Sequence, residues 1–272
     1  MKNSKSLFSL SNKTIVVTGG CGLLGQQFCK TIAKFGGTPI ILDKDISESK
    51  KLILNVFKNF KIKAYAYKCD ITKETEVKKI YKILSKREKN LFGLINNAAH
   101  NPQPIKRKNK KEFINNLEKF NINTFNKELY VGLTGAVICS KIFGNHFAIK
   151  KKGSIINISS DLGIVAPNQR IYKHLKYYKP VTYSVIKHGI IGLTKYLTSY
   201  WGSKNVRCNT LAPGGVLNNQ DKIFVRNIKK SIPSERMAKI DDFDGIIIYL
   251  LSDLSMHTNG TTISVDGGRA IY

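Results

Sequence analysis

The chain has 272 residues, 42% of them hydrophobic, which is enough for one sizeable core and too short for more than one large domain or two small ones. Its formal net charge is +27, yet the basic residues run along almost the whole length beside many Asn and Ile. A general compositional bias accounts for them better than a dedicated patch, so neither nucleic acid nor a membrane surface is an expected partner.

Five scattered cysteines, Cys21, Cys29, Cys69, Cys139 and Cys208, show no Cys-x-x-Cys pair and fit neither a zinc site nor a disulfide framework. They read as buried thiols in a reducing cytoplasm. The five histidines lack metal-ligand spacing, so no metal is expected. Residues 1–12 hold no sustained apolar segment, and the longest apolar run, 246–251, is far too short to span a bilayer.

In chain order, Ile- and Val-rich runs predict strands near 14–18, 39–42, 63–67, 93–96, 154–158, 206–211 and 262–265, separated by helix-length amphipathic stretches. That alternation predicts repeated βαβ units around a parallel sheet buried on both faces. The first strand runs into Gly19-Gly20-Cys21-Gly22-Leu23-Leu24-Gly25, a glycine turn opening a helix. Backbone N–H groups and the helix dipole make such a turn an anion site, suited to a pyrophosphate. A tight turn without ligand is the alternative. Asp43, after the second strand, can accept bonds from both adenosine ribose hydroxyls and would repel a 2′-phosphate, which favours NAD over NADP; Lys44 next door opposes this. A turn-forming or capping carboxylate is the other reading of Asp43. Asp70, after the third strand, meets either the adenine edge or serves as a helix cap.

The cluster Lys106, Arg107, Lys108, Lys110 and Lys111 reads as a solvated loop, with attraction of an anionic substrate as the alternative. A long helix is predicted over 112–149, broken near 121–124, then one over 181–200 and a shorter one over 242–251. The irregular stretches 167–180 and 216–239 interrupt the alternation as binding loops. On the helix from 181, Tyr183 and Lys187 are four residues apart and share a face, so the cation can favour the phenolate.

Joined by Asn96-Asn97-Ala98-Ala99, Tyr183-x-x-x-Lys187, Pro213-Gly214 and a terminal Val265-Asp266-Gly267-Gly268, these features resemble the short-chain dehydrogenase/reductase family. The motifs keep the family's order and approximate spacing over nearly the whole chain. The resemblance implies one Rossmann-like α/β domain spanning 1–272: a doubly wound parallel sheet of about seven strands with helices on both faces, and substrate loops near 161–181 and 216–240. It implies an NAD(P)-dependent oxidoreductase moving a hydride between nicotinamide and a secondary alcohol or carbonyl. The segments 96–102, 168–172 and 212–220 look like bacterial oxidoreductases of surface-polysaccharide and flagellin-glycan pathways, whose substrates are polar or anionic sugars. A 3-oxoacyl or ketone reductase and a catalytically weak dinucleotide sensor are the alternatives. A homodimer or homotetramer, packed through the helices over 112–149 and 181–200, is expected.

Carried over residue by residue, the resemblance places cofactor contacts at Gly19, Cys21, Gly22, Leu23, Leu24, Gly25, Asp43, Asp70, Ile71, Asn97, Ala98, Ala99, Tyr183, Lys187, Pro213, Gly214 and Val216. Ser160, Tyr183 and Lys187 are its catalytic residues, with Ser159 the near competitor of Ser160. The family's following threonine is missing; Asn218 or Asn219 is expected either to replace its hydrogen bond or to serve as plain loop. One position departs: the family's relay asparagine, in a pattern like Asn-Leu-x-Gly, is Gly132 here. A further water or Asn96 are the candidate replacements for it, a helix-packing adaptation in a protein of reduced activity is the alternative, and weakened catalysis is expected.

Overall fold

The computed structural model describes residues 7–100 and 113–271. The basic cluster at 106–111, the Asn101-Pro102 end of the segment beginning at Asn96, and the predicted helix start at 112 lie outside them.

Seven parallel strands form one sheet in the order β3-β2-β1-β4-β5-β6-β7. They are β1 (Thr14–Thr18), β2 (Thr38–Asp43), β3 (Tyr65–Lys68), β4 (Leu91–Asn96), β5 (Gly153–Ile158), β6 (Val206–Pro213) and β7 (Thr262–Val265). Side chains alternate between sheet faces, and β1 shows what that does: Ile15 and Val17 join one buried cluster while Val16 joins the other. Val16 pairs with Ile40 on one side and Leu94 on the other, so the strand is enclosed on every side. Such strands read as unbroken hydrophobic runs, the reason they are legible in the sequence.

Helices α1 (Leu23–Lys34) and α9 (Asp244–Leu251) cover the first face. Helix α3 (Glu74–Arg87) and the long middle helix cover the second, while α2 (Ser49–Phe60) follows β2. The middle helix begins at α4 (Ile122–Leu129), where Asn121 caps it by accepting the Thr124 N–H at 3.1 Å. The predicted break near 121–124 is therefore the helix start, preceded by a 3₁₀ turn at Leu117–Lys119. Beyond α4 it widens into π turns at Tyr130–Thr134 and Ser140–Gly144, alternating with α5 (Gly135–Cys139) and α6 (Asn145–Ile149). Helix α7 (Val181–Trp201) matches prediction to within a residue. Both irregular stretches hold short helices: a 3₁₀ segment at Gln169–Leu175, and α8 (Lys222–Lys229), capped by Asp221.

Strand order reverses direction at β1, with β2 and β3 on one side and β4 to β7 on the other. Loops from neighbouring strand ends diverge there and leave a crevice, where open α/β sheets bind ligands. No described helix is long and apolar enough to cross a membrane.

Candidate active site

A cleft of about 2030 Å³ runs along the carboxyl ends of the strands, from the glycine turn to the two irregular loops. A site for one small ligand occupies roughly 300–1,000 Å³. This cleft has room for a dinucleotide and a second molecule together.

At one end, Gly19 turns with φ +62° and approaches Ala98 so closely that a Cβ would lie 2.8 Å from its Cα. Gly25 packs against Gly19, and a Cβ there would collide with the Gly19 carbonyl. It lies outside the cleft lining, so its part is to hold helix to strand. Helix α1 starts at Gly22 with no side-chain cap and no acidic residue in its first turn, which leaves its N–H groups facing the cleft. Asn97 braces the turn, donating from Nδ2 to the Thr18 and Gly19 carbonyls at 3.0 Å each. Thr18 Oγ1 accepts in turn from the backbone of Asn97 and Ala98. The Asn97 side chain is thus structural, a role its backbone position alone did not suggest. Asp43 accepts from the Cys21 N–H at 2.9 Å, which sets its carboxylate against the turn. Asp70 lines the cleft and accepts from the Thr72 hydroxyl at 2.7 Å, but it does not cap the following helix, whose N-cap is Lys73 without a side-chain bond. An open cradle, an uncapped helix start and a carboxylate one strand away together fit an adenine dinucleotide.

At the other end, β5 delivers Ser159 and Ser160, and α7 delivers Tyr183 and Lys187. The serines separate cleanly. Ser159 Oγ donates to the Lys187 carbonyl at 2.7 Å, locking strand to helix, whereas Ser160 lines the cleft with Tyr183 and donates to Asp161 Oδ1 at 2.6 Å. Lys187 Nζ donates to the Ile158 carbonyl at 2.9 Å, and burial pushes its acidity to about 8. Burial likewise pushes the Tyr183 phenol up to about 12, with the Ser160 bond and the Arg269 charge working against it and Asp161 with it. Pro213, Gly214, Val216, Asn218 and Asn219 line the far wall, where Gln220 holds the loop by donating to the Val216 carbonyl at 2.7 Å.

Gly132 lies in the first π turn of the middle helix, and a Cβ there would sit 2.8 Å from Ile186 Cγ2 on α7. Ile186 thus occupies the space a side chain would need. Asn96 offers no replacement at the cleft: its amide donates to Ser140 and Asn157 in the core. Gly132→Asn is expected to lower stability by about 1–3 kcal/mol through overpacking. Ile186→Val in the same chain should recover part of that loss; thermal melts of the single and double variants check this.

Several wall residues escape sequence reading. Asp161 accepts the Ser160 hydroxyl at 2.6 Å and a bond from Arg269 Nη1, also at 2.6 Å. Lys179 Nζ lies 3.6 Å from the Tyr183 ring centroid, nearer than Lys187 Nζ at 5.7 Å. Glu128 accepts from Thr182 beneath the same residues. Among the described residues no group of His, Cys, Asp or Glu is placed to hold a metal.

A family profile described as enoyl-(acyl carrier protein) reductase matches residues 23–270. The post-translational flagellin modification protein A of Campylobacter coli is 31% identical, over 95% of this chain and 98% of its own. The chain belongs to the short-chain dehydrogenase/reductase family. It is accordingly an oxidoreductase that acts on alcohol or keto groups with NAD or NADP. The 2-dehydro-3-deoxy-D-gluconate 5-dehydrogenase of Bacillus subtilis (strain 168) is 28% identical, over 96% of each chain. The crystal structure of a short-chain dehydrogenase from Leptospira borgpetersenii with bound NAD+ superposes at TM-score 0.79, with 27% identity, over 99% of this chain and 96% of that one.

Proposed function

We propose that this dehydrogenase moves a hydride between NAD and a secondary alcohol or carbonyl carbon of a sugar-like substrate in glycan biosynthesis, with Ser160, Tyr183 and Lys187 as its catalytic residues. The observation that carries this reading is the convergence of those three side chains at the end of a cleft that begins on the glycine turn. A bound nicotinamide supplies the carbon that gives or accepts the hydride. Tyr183 exchanges the proton at the substrate oxygen, Ser160 holds that oxygen beside it, and Lys187 supplies the cation that favours the phenolate. The similarity to a flagellin modification protein and to a sugar-acid dehydrogenase supports the substrate class. An acyl-chain substrate fits less well, because Asp161, Lys179 and Arg269 charge the wall it would meet.

Purified protein should reduce NAD with at least one member of a panel of sugars, sugar acids and polyols, followed by nicotinamide absorbance. Normal dinucleotide binding with no transfer across the panel would sink the reading. NAD should be preferred over NADP by about tenfold or more, ~1.4 kcal/mol, since Asp43 would face the ribose that carries the extra phosphate. Asp43→Ser should erase that preference in paired KM measurements. The same reading makes the protein a homo-oligomer, supported by exposed Val185, Tyr196 and Tyr200 on α7 and exposed Tyr130 and Val137 on the middle helix.

A further inference from the structure

The hydride-transfer chemistry assigns no task to two cations at the Tyr183 end of the cleft, Arg269 and Lys179. Arg269 is only 7% exposed, and within the described residues its guanidinium makes one bond, from Nη1 to Asp161. None of its nitrogens is buried without a partner, and Arg269 is among the residues that line the cleft. A guanidinium held along one edge presents the other as a fork that matches a carboxylate or a phosphate. Asp161 both fixes that fork and ties it to the reacting centre, because its second oxygen accepts the Ser160 hydroxyl.

Lys179 is positioned with equal care. The Gln169 amide closes a ring on its backbone, accepting from the Lys179 N–H at 2.8 Å and donating to its carbonyl at 3.2 Å. Pro180 follows and stiffens the chain into α7. The ammonium thereby rests on the Tyr183 ring, one side chain from the hydroxyl that meets the substrate. Burial, with Lys187 and Arg269 nearby, pushes Lys179 down to about 8, while Asp161 and Glu128 oppose the shift. An added anion relieves that crowding of like charge.

We propose that Arg269 and Lys179 form an oxyanion subsite beside Ser160 and Tyr183, which takes a carboxylate or phosphate carried by the substrate close to its reacting carbon. This rests on the dehydrogenase reading above and narrows its substrates to acidic or phosphorylated sugars.

Three probes share a six-carbon polyol skeleton: D-gluconate, D-glucitol 6-phosphate and uncharged D-glucitol. They are titrated calorimetrically into protein saturated with NADH, so that no alcohol can be oxidised during the measurement. At least one charged probe should bind about tenfold tighter than D-glucitol, the scale of one charge-assisted hydrogen bond. Which of the two gains identifies the anion. That preference should fade above pH 8, where Lys179 loses its charge, and should largely vanish in Lys179→Met and in the paired Asp161→Leu/Arg269→Met variant, which orphans no charge. NADH affinity should be unchanged in both. A wild type with no charge preference, or a preference surviving in both variants, overturns the subsite. Because the readout is binding, a protein that binds the charged probe without ever reducing NAD fails as a dehydrogenase and keeps the subsite. One that oxidises only neutral alcohols does the reverse.

Discussion

Tyr183→Phe is expected to lower kcat by about 10²–10⁴-fold, the range one positioned proton-transfer group contributes, while NAD affinity stays unchanged. The substitution removes one hydroxyl from a ring that packs beneath Lys179 and beside Ser160, so the cleft keeps its shape. Burial raises this phenol to about 12, and alcohol oxidation needs its deprotonated form, so wild-type oxidation should climb with pH. Lys187 counteracts the climb: pushed down to about 8, it loses its charge well below the phenol's own titration, and the rise should flatten above that point. In Tyr183→Phe the pH dependence should disappear with the activity. Steady-state rates across pH, beside NAD titrations by fluorescence, provide the check. A variant keeping more than about a tenth of wild-type turnover would remove Tyr183 from the mechanism.

The sheet was legible because each strand carries its own signal. Residues 14–18 are apolar or β-branched throughout since both faces are buried, and the glycine turn follows at once. Spacing alone also put Tyr183 and Lys187 on one face, as a helix must. What stayed hidden depends on partners distant in the chain. Asp161 and Arg269 are 108 positions apart, and no local periodicity links them. Lys179 looked like one more lysine in an irregular basic stretch, since its placement comes from the Gln169 clamp. Gly132 was visible as a departure, but its physical reason, the Ile186 methyl, required the packing of two helices. The π turns of the middle helix likewise escape a 3.6-residue pattern, because they shift its phase without ending it.

Arg269→Met should destabilise the fold by about 3–5 kcal/mol, the cost of stranding a buried charge, here Asp161 at 2% exposure. Paired substitution to Asp161→Leu/Arg269→Met should restore most of that loss, because a buried ion pair repays little more than its own desolvation. The two side chains join the end of β5 to the segment after β7, so the single variant should also loosen the cleft wall around Ser160. At about 2–4 °C per kcal/mol for chains near this size, the single variant should melt roughly 6–20 °C lower than wild type. The paired variant should melt within a few degrees of wild type, ~1 kcal/mol. If instead both variants melt alike and low, the pair supplies fold stability directly. If both melt like wild type, water reaches Asp161 freely and the wall is not the dry, preset surface that recognition of an anion beside Tyr183 requires.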